Sequence, residues 1–371
     1  WVKILDLYRE VLEELGYVVF VPDVPRELID QSSTVSKILS YDVVAASQLP
    51  LDADLFLGPP GYSLAQIMRL KEHFETTSDF ESGKNTKVVL YVWNNQDKWR
   101  DQQLAEEYKK FGHPYDLSPT WRWINRTALQ LADHVIACSP WVKKTHAQVV
   151  PADKISITFW GVDSQMFTPA KVVSVGKDFG SRVEPPGFRI LFVGGDPFRK
   201  GLIYLLEAFD KLRTTVPYAE LWVTGTTIND VSGVTSKGLL PHAEMPALMR
   251  QCHVLACPTL EDGIALCVQE AMACGLPVIG TPEVAEVFED GVSGYTVGYR
   301  DSAAILRRLE ELWRDPERRA VMGKQARALI ETQTWGHTKE DLKEVIRKVM
   351  SGSPLPFESE MPWLRKEVGK L

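Results

Sequence analysis

Two kinds of segment alternate along the chain. Short apolar runs, typical of buried strands, are separated by longer stretches in which apolar residues recur at helical spacing. This alternation predicts an α/β architecture with parallel sheets. The strand-like runs are YVVFVP (17–22), DLFLG (54–58), KVVLYVW (87–93), HVIACS (134–139), FRILFVGG (188–195), AELWVTG (219–225), HVLACPT (253–259) and PVIGT (277–281).

The runs fall into two series, and a chain of 371 residues is long enough for two domains. Between the series lies TPAKVVSVGKDFGSRVEPPG, which has little periodicity and carries Gly or Pro at both ends. The pattern predicts two Rossmann-like domains with parallel sheets facing across a cleft, where such sheets bind ligands. The predicted bounds are 1–167 for the N-terminal domain, 168–187 for the connection, 188–350 for the C-terminal domain and 351–371 for a tail.

The loop FVGGDPFRKG, 192–201, is a candidate anion site. Gly194 and Gly195 follow a strand and allow backbone N–H groups to approach a ligand closely. Arg199 and Lys200 then supply two positive charges before a predicted helix, and cations at this place suit a phosphate or diphosphate. A tight turn with two solvated basic residues fits the same pattern.

The stretch EDGIALCVQEAMACG, 261–275, contains an unusual carboxylate. Glu270 stands among apolar and small residues, and a buried carboxylate is costly unless a partner satisfies it. A hydroxyl-rich ligand such as a ribose would do so. Asp262 fits either a ligand contact or a helix N-cap. The helix is predicted to begin at Gly263, so an anion-binding end is expected at the N–H groups of Gly263, Ile264, Ala265 and Leu266.

These motifs carry a family resemblance. PTLEDGIALCVQEAMACGLPVIGT, 258–281, resembles the signature of retaining glycosyltransferases of family 4, which have the GT-B fold. FVGGDPFRKG falls where that family has its phosphate-binding basic loop. Further similar segments are TFWGVDSQMFTP (158–169), PEVAEVFEDGVSGYTV (282–297) and ADHVIACSPWVKK (132–144).

The resemblance implies transfer of a hexosyl group, with retention, from a UDP- or GDP-linked sugar to an unknown acceptor. It implies no metal and no cofactor beyond this donor substrate. By the same analogy, Glu270 holds the ribose hydroxyls, Asp262 touches the donor sugar and Lys200 stabilises the departing diphosphate. Gly194, Gly195, Arg199 and residues 263–266 would complete the donor site.

Several positions depart from the family pattern. The first acid is usually Glu, the loop Arg of the family is replaced by Gly195, and Trp93 stands where the family often has His. The family begins with a strand and a glycine-rich loop before its first helix, whereas this sequence starts almost at the helix predicted over residues 3–15, so that segment is either absent or precedes residue 1. Two alternatives therefore stay open: a non-catalytic nucleotide-sugar-binding or scaffold subunit, and a nucleotide-sugar epimerase. The candidate acceptor side consists of Gly61, Trp93, Asn94 and Asn95.

Composition and charge indicate which classes of binding partner to expect. A formal charge of −7, with 44% apolar and 25% charged residues, is typical of a soluble globular protein and gives no electrostatic reason to expect nucleic acid. No apolar run reaches the ~18 residues of a membrane span. Five cysteines without a C-x-x-C motif indicate a reducing, cytoplasmic setting. The acceptor class (sugar, lipid, protein or small molecule) and a peripheral membrane contact stay open.

Overall fold

The computed structural model describes residues 2–22, 35–76, 86–115, 118–170 and 187–354. The helices are α1 Val2–Glu14, α2 Val35–Gln48, α3 Leu64–Thr76, α4 Asp97–Lys110, α5 Pro119–Leu131, α6 Pro140–His146, α7 Leu202–Thr215, α8 Met245–Met249, α9 Leu266–Ala273, α10 Ser302–Arg314, α11 Pro316–Ile330 and α12 Trp335–Ser351. The strands are β1 Leu55–Gly58, β2 Lys87–Val92, β3 His134–Ala137, β4 Ile155–Ile157, β5 Phe188–Val193, β6 Ala219–Thr224, β7 Val234–Gly238, β8 Val254–Cys257, β9 Val278–Gly280 and β10 Gly294–Thr296.

The described chain forms two compact units. The first contains the residues up to Asp101, those from Pro114 to Phe159 and those from Gly336 onward. The second contains residues 102–113 and 160–335. The domain bounds predicted from the sequence assign the helix α12 to the C-terminal domain. In the structure this helix belongs to the first unit from Gly336 onward, and its buried side chains include Leu342, Val345 and Ile346. Residues 171–186 of the predicted connection and 355–371 of the predicted tail lie outside the described residues.

The first unit is built on a parallel sheet in the order β1-β2-β3-β4. Its two central strands are apolar along almost their whole length, as parallel strands covered on both faces require. Thr338 on α12 donates its hydroxyl hydrogen to the carbonyl of Phe159 at 2.8 Å, which ties the returning helix to this unit.

The second unit has a six-stranded parallel sheet in the order β10-β9-β8-β5-β6-β7. The strand order reverses between β5 and β8, which are hydrogen-bonded neighbours although they are far apart in sequence. Ligands of open α/β sheets bind at such a reversal, beyond the carboxyl ends of the strands. The loops that follow β5 and β8 are 194–201 and 258–265, the two motifs singled out in the sequence.

One predicted strand is not formed. Residues 17–22, YVVFVP, pair with no strand among the described residues, and Val18 is 100% exposed. The apolar run has the residue pattern of a strand, but its backbone has no neighbouring strand among the described residues with which to form hydrogen bonds. After β7, a 3₁₀ turn at His242–Glu244 leads directly into the five-residue helix α8.

Gly201 allows α7 to begin directly beneath the β8 loop. Its φ is 68°, in the left-handed region that side chains rarely adopt, and a Cβ there would lie 2.0 Å from the carbonyl oxygen of Pro258. The two loops can approach this closely only if residue 201 is glycine.

We expect Gly201→Ala to cost about 3 kcal/mol of unfolding free energy, since it adds both left-handed strain and a steric clash. Gly238→Ala is the matched control, because Gly238 has φ 66° with nothing within 4 Å of a built Cβ. It should cost only about 1 kcal/mol. Urea unfolding of both variants measures the difference, and equal losses would contradict the proposed role of the clash.

Two buried histidines make the first unit sensitive to acid. Burial lowers the pKa of His134 and of His146 to about 4, from an ordinary value of 6.5. Between those values the unfolded chain binds protons that the folded chain does not, so the free energy of unfolding falls as the pH drops from about 6.5 to 4. Each histidine accounts for about 3 kcal/mol of that loss.

Urea unfolding at a series of pH values tests this expectation. His146→Gln should flatten the dependence between pH 6.5 and 4, whereas His337→Gln should leave it unchanged because His337 is exposed. If the free energy of unfolding of His146→Gln depends on pH as steeply as that of the wild type, His146 does not cause the acid sensitivity.

Candidate functional site

An aspartate shapes the loop after β5. One carboxylate oxygen of Asp196 accepts hydrogen bonds from the N–H groups of Phe198 and Arg199, at 3.1 and 3.0 Å, and its carbonyl accepts from Lys200 N–H at 2.9 Å. The Tyr108 hydroxyl donates to its second carboxylate oxygen. Asp196 therefore sets the direction of both basic side chains. The Asp-Pro pair is a turn signal from which the sequence could have identified this residue.

The loop after β8 is joined to the loop after β5 by backbone hydrogen bonds. Leu260 N–H donates to the carbonyl of Arg199 at 2.8 Å, and the Thr259 hydroxyl lies 3.2 Å from the same oxygen. Thr281 in turn donates its hydroxyl hydrogen to the carbonyl of Thr259 at 2.7 Å. Because of these bonds, residues 199–201 and 258–262 lie against each other.

Lys200 and Asp262 form an ion pair across the two loops. Their side chains are 13% and 11% exposed, so both are shielded from water but still reachable. Burial lowers the pKa of Lys200, but the Asp262 carboxylate, together with Cys257 and Cys267, outweighs it, and the pKa lies above its ordinary value. Gly194 leaves room for this lysine, since a Cβ at that position would lie 2.8 Å from the Lys200 Cγ.

The neighbouring acid has a different partner. Arg199 Nη1 donates to the carbonyl of Glu261 at 3.1 Å and lies 3.6 Å from its carboxylate, and the Glu261 side chain is 0% exposed. Of the two adjacent acids, Asp262 is the one that a ligand could reach. Its N–H donates to the buried carboxylate of Glu283, which also accepts from the Tyr299 hydroxyl at 3.3 Å. Glu283 was not predicted from the sequence.

The helix α9 begins at Leu266, three residues later than predicted, and Ala265 occupies its N-cap position. Asp262 therefore does not cap the helix, and the N-cap alternative for it is wrong. No side chain makes a capping hydrogen bond at this end. Gly263, Ile264 and Ala265 form an irregular segment instead of a first helical turn, although they still lead into the helix N-terminus.

Glu270 has a protein partner that sequence reasoning missed. Its Oε1 lies 2.7 Å from His242 Nε2, and its side chain is 13% exposed. The His242 ring packs 5.2 Å from the ring of Phe167 and is 62% exposed. The imidazole satisfies one oxygen of this carboxylate at the edge of the site. Since His242 and Glu270 are 28 residues apart, no local pattern could have paired them.

Two cysteines also lie beside Lys200. A hydrogen bond from Cys267 lowers the pKa of Cys257, while the same bond raises the pKa of Cys267. Cys257 is buried and Cys267 half-buried, and both thiols lie near the Lys200–Asp262 pair.

The candidate acceptor residues lie together in the first unit. Gly61, Trp93, Asn94 and Asn95 all line one cavity at the carboxyl ends of β1 and β2. The sequence had placed them only in separate loops after strands, so their convergence is a structural result.

The described residues contain no group of three His, Cys, Asp or Glu side chains arranged to hold a metal ion. None of their helices combines the length and the apolar character needed to cross a bilayer. The expectation that no metal is needed stays a prediction.

Residues 187–315 match the family described as Glycosyl transferases group 1. Alpha-maltose-1-phosphate synthase of Mycolicibacterium smegmatis is 27% identical over 281 residues, which cover 68% of this chain and 70% of that protein. Sucrose-phosphate synthase from Thermosynechococcus elongatus has a similar fold, with a TM-score of 0.64 at 18% identity, covering 89% of this chain and 81% of that one.

A second solved structure, Anabaena Alr3699/HepE in complex with UDP-glucose, has a TM-score of 0.60 at 15% identity, covering 92% of this chain and 89% of that one. The parallel sheets of both units agree with the GT-B fold of these proteins. Residues 187–315 therefore form a glycosyl transferase group 1 domain, and the chain has the GT-B fold.

Proposed function

We propose that the chain transfers a hexosyl group from a UDP- or GDP-linked sugar to an acceptor, with retention of configuration and without a metal ion. The observation that carries this proposal is the Lys200–Asp262 pair, held at the strand-order reversal of the second unit by the two joined loops. The pair supports the proposal because a cation suits a leaving diphosphate and an adjacent carboxylate suits a sugar hydroxyl.

Lys200 is proposed as the residue that stabilises the departing diphosphate. A fixed positive charge in a shielded site lowers the barrier to loss of the leaving group, and such a donor contributes several kcal/mol in enzymes generally. Arg199 adds a second charge through its place in the same loop, although it already bonds to Glu261. Gly195 is proposed to let the loop backbone approach the phosphate oxygens, whereas the Gly194 N–H already donates to the carbonyl of Thr224 at 2.9 Å.

Asp262 is proposed to contact the donor sugar, and Glu270 the ribose hydroxyls. Both carboxylates are partly exposed and both are already oriented by one partner, Lys200 and His242 respectively. A carboxylate can accept from two adjacent ribose hydroxyls while it keeps one bond to His242. The backbone from Gly263 to Leu266 completes the donor site at the start of α9.

The acceptor is proposed to bind at Gly61, Trp93, Asn94 and Asn95. Uridine nucleotides are the first donors to test, because a structure of the same fold contains UDP-glucose. Hydrolysis of a donor sugar without acceptor favours the enzyme over a scaffold subunit. Formation of an isomeric nucleotide sugar without acceptor would instead identify an epimerase.

We expect UDP or GDP to raise the melting temperature of the wild-type chain by about 5 °C at about a hundred times Kd. Glu270→Ala should abolish this shift, because the ribose loses its hydrogen-bond acceptor. Glu244→Ala is the matched control, an exposed acid in the neighbouring 3₁₀ turn, and should keep it. A full shift in Glu270→Ala would remove the ribose assignment.

Lys200→Met should lower kcat for donor turnover about 100-fold or more, with a smaller change in donor KM, since the charge acts mainly as the diphosphate departs. The control is Lys211→Met, an exposed lysine on α7, which should retain wild-type kinetics. Because Lys200→Met leaves a carboxylate without its partner, Asp262→Asn in the same background restores folding stability without restoring kcat. Wild-type turnover in Lys200→Met would contradict its role.

A further inference from the structure

The acceptor-side cavity of the first unit has a distinctive lining. It lies at the carboxyl ends of β1 and β2, has a volume of about 90 Å³ and is partly open to solvent. Aromatic rings and side-chain amides dominate its wall, notably Tyr62, Trp93, Trp121, Asn94, Asn95 and Asn125.

The rings are held in place by their neighbours. Tyr62 meets Trp121 edge to face, with centroids 5.8 Å apart, and Trp93 lies 5.3 Å from Tyr91. A Cβ at Gly61 would lie 2.1 Å from Trp121 Cη2, so the glycine leaves space for this ring. Gly61 therefore acts through Trp121. Fixed aromatic faces offer a negative π surface to a ligand.

The polar groups supply both donors and acceptors. Asn125 Nδ2 donates to the Asp97 carboxylate at 3.1 Å, and this orients the amide beside Gly61. His146 Nδ1 donates to the carbonyl of Val142 at 2.9 Å, and burial lowers the pKa of this histidine to about 4. Its imidazole is thus neutral near pH 7, with Nε2 as an acceptor. Neutral hydroxyl groups need such mixed partners.

The lining carries no surplus charge. Among the described residues that form it, Asp97 and Arg100 are the only charged side chains. Burial raises the pKa of Asp97, and the positive charge of Arg100 partly offsets that rise. The two opposite charges of the cavity lining therefore attract each other. A phosphate would need a cation that is not already balanced by a carboxylate. The wall therefore disfavours phosphorylated ligands.

We propose that this cavity binds a neutral, unphosphorylated sugar, and that this sugar is the acceptor. The acceptor role rests on the transfer proposed above, whereas the sugar-binding role does not. The C–H bonds on one face of a sugar ring lie against the Trp121 or Trp93 face, and its hydroxyls exchange hydrogen bonds with the amides. The polar side chains of the lining, Asn94, Asn95 and Asn125 among them, favour a ligand with hydroxyl groups over a lipid tail.

The test is binding of methyl glycosides of glucose, galactose, mannose and N-acetylglucosamine to the full chain. Tryptophan fluorescence and saturation-transfer NMR detect the binding. At least one should bind in the absence of nucleotide, and glucose 6-phosphate and galactose 6-phosphate should bind about tenfold more weakly. Trp121→Ala should weaken binding about tenfold or more, because the ring supplies much of the contact area, and Trp121→Phe should recover most of it.

Trp123→Ala is the matched control, since Trp123 lies on the same helix α5, is 59% exposed and does not line the cavity. It should bind as the wild type does. If Trp121→Ala does not fold, Asn94→Ala replaces it, because Asn94 is exposed and lines the cavity. It should weaken binding several-fold.

Three results would overturn the proposal: no binding by any methyl glycoside, tighter binding of the phosphorylated sugars, or equal losses in Trp121→Ala and Trp123→Ala. The UDP-induced thermal shift of the wild-type chain is measured alongside. A missing shift with intact glycoside binding would refute the donor site alone, and a normal shift without glycoside binding would refute the sugar cavity alone.

Discussion

The hydrogen bonds between the loops after β5 and β8 are the constraint on which the candidate donor site depends. Leu260 N–H donates to the carbonyl of Arg199, and Gly201 permits backbone contact with Pro258. These contacts exist because β5 and β8 are neighbours in the sheet despite their separation in sequence. They bring a basic motif and an acidic motif to one place, so the sheet order itself assembles the site.

The consequence is a site whose charges are balanced before any ligand arrives. Lys200 pairs with Asp262 and Arg199 with Glu261, and each pair lies largely out of water. Such pairs hold their geometry because separation of either charge in a shielded place is costly. An arriving diphosphate must share these cations with the carboxylates. This favours a ligand that also offers hydroxyl groups to the acids, as a nucleotide sugar does.

The sequence predicts the α/β class, the two strand series and most of the strands, because buried parallel strands have a strong apolar pattern. It also identifies Lys200, Asp262 and Glu270 through their motifs. What it misses depends on distance along the chain: His242 beside Glu270, Tyr108 beside Asp196 and Glu283 beside the Asp262 amide. It also places the start of α9 too early, since an apolar pattern does not distinguish a helical turn from the irregular segment that precedes it.

The joined loops are proposed to bind a diphosphate, and calorimetric titration tests this binding most directly. Uridine, UMP and UDP, or the guanosine series, are titrated into the wild-type chain and into Lys200→Met. We expect the diphosphate to bind at least about tenfold more tightly than the monophosphate, with most of that difference lost in the variant, since the β-phosphate meets the Lys200 charge. Equal affinities for the monophosphate and the diphosphate in the wild-type chain would contradict the claim.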